Sequence, residues 1–145
     1  MNYEEMLIER IESFVDVVES FVKVEHNIIH DSKFRTYFKK PDYDENIIIL
    51  KDIKTLALEI DTDDITIPED DQQSLDLEEK FERCLVMFNK LCDGFIELQE
   101  QLKQKATKAN KLKITDYQEL LKELQTTRNL MNSALQDFDT AYGEY

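Results

Sequence analysis

Apolar residues recur every three or four positions along four stretches of this chain, and along the third the pattern runs unbroken from Leu77 to Leu102. That third stripe is Leu77, Phe81, Leu85, Phe88, Cys92, Phe95, Leu98 and Leu102. A period of 3.6 residues is the signature of an amphipathic α-helix, and a strand pattern of period two cannot be laid over it. The first stripe, over residues 4–30, is Leu7, Ile11, Phe14, Val15, Val18, Phe21, Val22, Ile28 and Ile29. Its seven-residue step from Leu7 through Phe14 and Phe21 to Ile28 suits packing inside a bundle. The fourth stripe is Tyr117, Leu120, Leu121, Leu124, Met131, Leu135, Phe138 and Tyr142, opened by the capping box Thr115-Asp116-Tyr117-Gln118. A shorter stretch over 45–59 carries Ile49, Ile53, Leu56 and Ile60 on one face, although its Ile47-Ile48-Ile49 run is also compatible with a strand.

The punctuation agrees with this reading. Only 2 Gly and 2 Pro occur in 145 residues, too few for a sheet with many tight turns or a glycine-rich phosphate loop. Pro41 ends the first helical region, and Ser74 is placed to cap the third. The third stripe keeps its face through Gly94, which marks a kink or a close helix crossing. The expected fold is one all-α domain over residues 1–145, an antiparallel bundle of about four main helices. An acidic loop joins the second helix to the third.

The chain carries 32 Asp and Glu against 18 Lys and Arg, for a net charge of −14. That balance disfavours nucleic acid and anionic membranes as partners, since both repel it. No apolar run approaches the roughly 20 residues of a transmembrane helix, and the N-terminus lacks the features of a secretory signal, so a cytoplasmic protein is expected. The charge is uneven along the sequence: residues 1–40 are net −2, 41–80 net −11, 81–113 net +3 and 114–145 net −4. Residues 61–74, Pro-containing and acidic, have the composition of a segment that stays unpacked.

Two charged residues interrupt apolar faces. At 100° per residue Glu25 falls in the middle of the first stripe and Arg128 in the middle of the fourth. Burying either alone would cost several kcal/mol, so the two are expected to meet as a structural buried pair. If Tyr142 lies level with Glu4, the pair is about 10 Å out of register and needs a helix offset.

The catalytic candidates are weak. His26 and His30 are one turn apart and Asp31 follows, a spacing that could serve a metal-dependent helical hydrolase. A di-iron bundle would need Glu where Lys23 and Asn27 stand. Glu9/Glu12, Glu79/Glu82 and Glu97/Glu100 are paired carboxylates, but no Glu-x-x-Asp completes a Mg²⁺ site of the all-α pyrophosphatase type. Asp61, Asp63 and Asp64 fail as a calcium loop, with Ile65, Thr66 and Gln72 at positions that need an oxygen ligand, Gly and Glu. Cys84 and Cys92 are about 12 Å apart along one helix, too far for a disulfide. No catalytic residue and no cofactor is assigned.

The sequence favours instead a non-catalytic module that binds a basic protein, of the inhibitor, immunity or adaptor type. The expected partner-binding residues are Asp61, Asp63, Asp64, Glu69, Asp70 and Asp71, with Ile65 and Ile67 as an apolar anchor. A homodimer through the aromatic faces of the first and third helices is a further expectation.

Overall fold

In a computed structural model, which describes residues 1–33, 42–106 and 114–145 and the side chains of all of these but 29–33, 105–106 and 114–116, the chain is an all-α four-helix bundle. The helices are α1 (Tyr3–Lys33), α2 (Tyr43–Leu58), α3 (Gln72–Ala106) and α4 (Ile114–Glu144). The isoleucine run 47–49 is helical, so burial rather than β-propensity decides its conformation.

Cross-helix partners fix the topology as up-down-up-down. Asp44, Asn46 and Lys54 of α2 meet Lys103, Gln99 and Asp93 of α3 in reverse order. Cys84 and Gln73 of α3 meet Ala134 and Glu144 of α4 in the same antiparallel sense. α1 runs parallel to α3, and the two interlock through a ladder of phenylalanines. Phe14 lies between Phe81 and Phe88, and Phe21 between Phe88 and Phe95, all edge-on with centroids 5.2–5.6 Å apart. Edge-to-face pairs of this kind add about 0.5–1.5 kcal/mol each beyond the area they bury.

Side-chain size sets the spacing of the helices. Small residues line the α3–α4 contact: Cys84 donates from Sγ to the Ala134 carbonyl, and a Cβ on Gly94 would stand 2.8 Å from Leu124 Cδ1. Gly94 thus marks a close crossing. α4 is drawn onto α3, whereas the phenylalanine ladder props α1 away. Among the described residues no Cα of α1 comes within 8 Å of one in α4, so that side of the bundle is a wide seam.

Two expectations are corrected here. The buried face of α2 is Ile47, Leu50, Ile53 and Ala57, rotated from the Ile49-Ile53-Leu56-Ile60 line, and Leu56 is 51% exposed. α2 sits in the groove between α1 and α3 and buries the flank each of them reaches. The second correction concerns 61–74. α2 is half the length of its neighbours, so the segment after it crosses the uncovered half of the α1–α3 groove and packs there. Thr62 and Ile65 are buried, Ile67 packs against the core, and Gln72 to Ser74 are already helical. The N-cap of α3 is Asp71, not Ser74: its Oδ1 accepts from the Ser74 backbone N–H at 3.1 Å. The box at Thr115 and the stop at Pro41 lie outside the described side chains and residues.

Candidate functional site

The fold gathers charge that the sequence spreads out. The start of α1, the 59–71 segment, the start of α3 and the end of α4 all lie at one end of the bundle. Residues 1–17, 59–88 and 130–145 hold 19 Asp and Glu against 3 Lys and Arg, net −16, and the remainder of the sequence holds 13 against 15, net +2. The three cations at this acidic pole are already engaged. Arg10 bonds Asp64 at 2.7 Å, Lys80 bonds Asp76 at 2.8 Å, and Arg83 reaches Asp137 at 3.4 Å. Arg10 also lies 3.7 Å from Glu9, and no further ion pair to a pole carboxylate occurs among the described residues.

The sequence-predicted binding residues divide into two groups. Asp61, Asp63, Asp64, Glu69 and Asp70 are exposed, on backbone held in place by its packed neighbours. Asp61 Oδ1 accepts from the Asp63 N–H at 3.1 Å, which fixes the turn. Ile65 is 7% exposed and joins the main core, and Ile67 packs against it. The expectation that these two form an exposed anchor is therefore corrected: burying them is what pins the segment to the bundle. Asp71 is likewise structural. It accepts from Tyr3 Oη at 2.7 Å and from Ser74 Oγ at 2.8 Å, and Ser74 Oγ also meets Tyr145 Oη at 2.8 Å. These three hydrogen bonds to its carboxylate, counting the Ser74 N–H, hold Asp71 below its ordinary pKa, and the same contact pushes the Tyr3 phenol up.

Behind the segment, Thr62 Oγ1 donates to Glu82 Oε1 at 2.7 Å. Glu78, one turn earlier and half-buried, is raised in pKa by burial and by the Glu82 charge, with Thr62 acting against the shift. Neither Thr62 nor this carboxylate pair was legible beforehand, because their meeting depends on where the segment lies.

Glu25 and Arg128 meet across the wide α1–α4 seam: Arg128 Nη2 donates to Glu25 Oε1 at 2.9 Å. The Glu25 side chain is 10% exposed and that of Arg128 30%. Burial raises the Glu25 pKa, and Arg128 opposes the rise. The needed offset comes partly from the terminal clasp, which brings Tyr145 rather than Tyr142 to the level of Tyr3, and partly from the long arginine side chain. A second polar intrusion escaped the sequence reading. Gln99 is 2% exposed and accepts from Asn46 Nδ2 at 3.1 Å. It falls on the α3 apolar stripe, so the angular test that singles out Glu25 finds it too.

His26 is exposed on α1, while the side chains of His30 and Asp31 lie outside the described ones. Among the described residues no three His, Cys, Asp or Glu converge as metal ligands. Cys84 and Cys92 are fully buried with free thiols, each pushed up to about 12 by burial. No helix of the described residues is long and apolar enough to cross a membrane. No family model matches the chain, and comparison with curated proteins and with solved structures finds no match either.

Proposed function

We propose that this chain is a non-catalytic protein-binding module whose acidic pole docks a basic protein, as an inhibitor, immunity-type protein or adaptor would. One observation carries the reading: the pole is net −16 by sequence and its three cations are consumed by internal pairs. Carboxylates on packed backbone present a fixed pattern of charge, which speeds association with a complementary surface and orients it. The exposed acids Asp61, Asp63, Glu69 and Asp70 belong to the segment and border those at the starts of α1 and α3.

The test is titration with a small basic probe protein at about 20 mM and about 300 mM salt, followed by amide chemical shifts. Shifts centred on residues 61–70 and the first turns of α1 and α3 are expected. Asp61→Asn/Asp63→Asn/Asp70→Asn should slow association by about tenfold at low salt. Unchanged association in that variant, or shifts elsewhere, would reject the proposal.

A further inference from the structure

α1 has two apolar seams, and the bundle uses only one of them. The inner seam is Leu7, Phe14, Phe21 and Ile28, all buried. One residue further on, Ile8, Val15 and Val22 form a second row with the same seven-residue step. Ile8 is half-buried, and Val15 and Val22 are each 45% exposed. Glu25, at the helical angle of Leu7 on the inner seam, reaches Arg128 of α4, and the row lies about 60–100° further round α1, on the flank turned away from Phe14 and Phe21. Across the seam, α4 offers Leu121, Leu135 and Tyr142, a seven-residue series whose remaining position is Arg128. Leu121 is 39% exposed, and Leu135 and Tyr142 are partly buried against the core. These residues border the wide α1–α4 seam as a trough between two helices whose described Cα atoms stay more than 8 Å apart, with the Glu25–Arg128 pair just past its Val22 end on α1.

Charge specifies what fits the trough. Its α1 rim carries Glu5, Glu12 and Glu19, the last two each four residues after Ile8 and Val15, with Lys23 beyond them at the Val22 end. Its α4 rim carries Asp139. Arg128, the cation within the α4 series, is bonded to Glu25. A second copy of this chain would bring acid against acid and is disfavoured.

We propose that the α1–α4 trough is a docking groove for an amphipathic helix of a partner protein, with apolar residues at heptad spacing flanked by Lys or Arg. This rests on the reading of the chain as a binder of a basic protein, and it names the recognition element. The row from Ile8 to Val22 is about 21 Å long, so it accommodates about four helical turns. Apolar side chains of the incoming helix enter between Val15, Val22 and Leu135, and its cations reach Glu12, Glu19 and Asp139, the helix-in-groove mode of recognition.

The probe is a labelled synthetic helical peptide with Leu at heptad a and d positions and Lys beside them, compared with a scrambled peptide of the same composition. The protein variants are Val15→Glu/Val22→Glu in the trough and Ile48→Glu/Leu56→Glu on exposed positions of α2. Docking in the trough predicts that the first variant weakens the heptad peptide by at least about tenfold. The second variant binds as the parent does, the scrambled peptide binds poorly, and amide shifts follow α1 and α4. Attraction by charge alone predicts that both variants, being more acidic, bind at least as well. That result, with shifts at 61–70, overturns the groove while leaving the acidic pole as the binding surface. No binding of either peptide at low salt overturns both readings. Sedimentation showing a parent dimer that Val15→Glu/Val22→Glu dissolves assigns the trough to a second copy and overturns the proposal.

Discussion

Removing Arg128 isolates a carboxylate that water barely reaches. Glu25 is 8% exposed as a residue, and its carboxylate accepts a hydrogen bond from Arg128 at 2.9 Å across the bundle. Breaking a fully buried pair from one side costs about 3–5 kcal/mol. Here the Arg128 side chain is 30% exposed, so solvent already screens the pair. For Arg128→Met we therefore expect the lower value of about 2–3 kcal/mol at pH 7. In a chain of this size that lowers Tm by roughly 5–10 °C. Glu25→Leu combined with Arg128→Met removes both charges and should return to within about 1 kcal/mol of the parent, because a well-packed apolar pair replaces a desolvated ionic one at little cost. The pH dependence gives an independent check. Burial raises the folded-state pKa of Glu25 above its ordinary value of 4.5, so the folded state holds this proton more tightly than the unfolded state. Its contribution to stability is then greatest below the ordinary value and declines as pH rises through the raised one. Arg128→Met lifts the raised value further, so its deficit should be largest at pH 7 and should shrink towards pH 5. Urea denaturation of the four proteins of the cycle at both pH values measures each quantity. A deficit under about 0.5 kcal/mol for Arg128→Met, or a double variant as unstable as the sum of the singles, would refute the reasoning.

Other consequences are simpler to check. Gly94→Ala gains about 1 kcal/mol of helix propensity but pushes the mobile end of Leu124, so thermal melting should move little, whereas Gly94→Val should cost about 1–3 kcal/mol by forcing α3 and α4 apart. Phe88→Ala removes the ring that touches both Phe14 and Phe21 and should cost about 3–5 kcal/mol by chemical denaturation. Cys84 and Cys92, fully buried and pushed up to about 12, should react with a thiol reagent only as the bundle opens, and prompt labelling of either in the native protein would contradict their burial. Asp71 is held below its ordinary value, so its stabilising contribution is present above that value and lost as pH falls through the lowered one. Asp71→Asn should therefore flatten the acid limb of the stability profile, and an unaltered limb would show that the clasp with Tyr3 and Ser74 contributes nothing.

Where sequence reasoning failed, it lacked information about neighbours. The face of α2 could not be placed because the helix is apolar over more than half its circumference, and the groove between α1 and α3 selects Ile47, Leu50, Ile53 and Ala57 from several workable sets. The segment at 61–74 has the composition of an unpacked chain. Ile65 and Thr62 nevertheless pack, because a short α2 leaves an uncovered strip of core that only this segment can reach. His30, Asp31 and the 34–41 region fall outside the side chains and residues described, so the hydrolase reading gains no support from geometry.

The sequence alone determined the helices, their approximate ends and the meeting of Glu25 with Arg128, because helical periodicity is local and a charge in an apolar stripe demands a partner. Tertiary structure alone decided the acidic pole, since the clusters around residues 5, 63, 78 and 137 are distant in sequence and come together only when antiparallel helices bring their ends to one side. It also decided the open α1–α4 seam. Small residues draw α4 onto α3 while phenylalanines hold α1 off, and that balance of side-chain volumes exists only once the helices are packed.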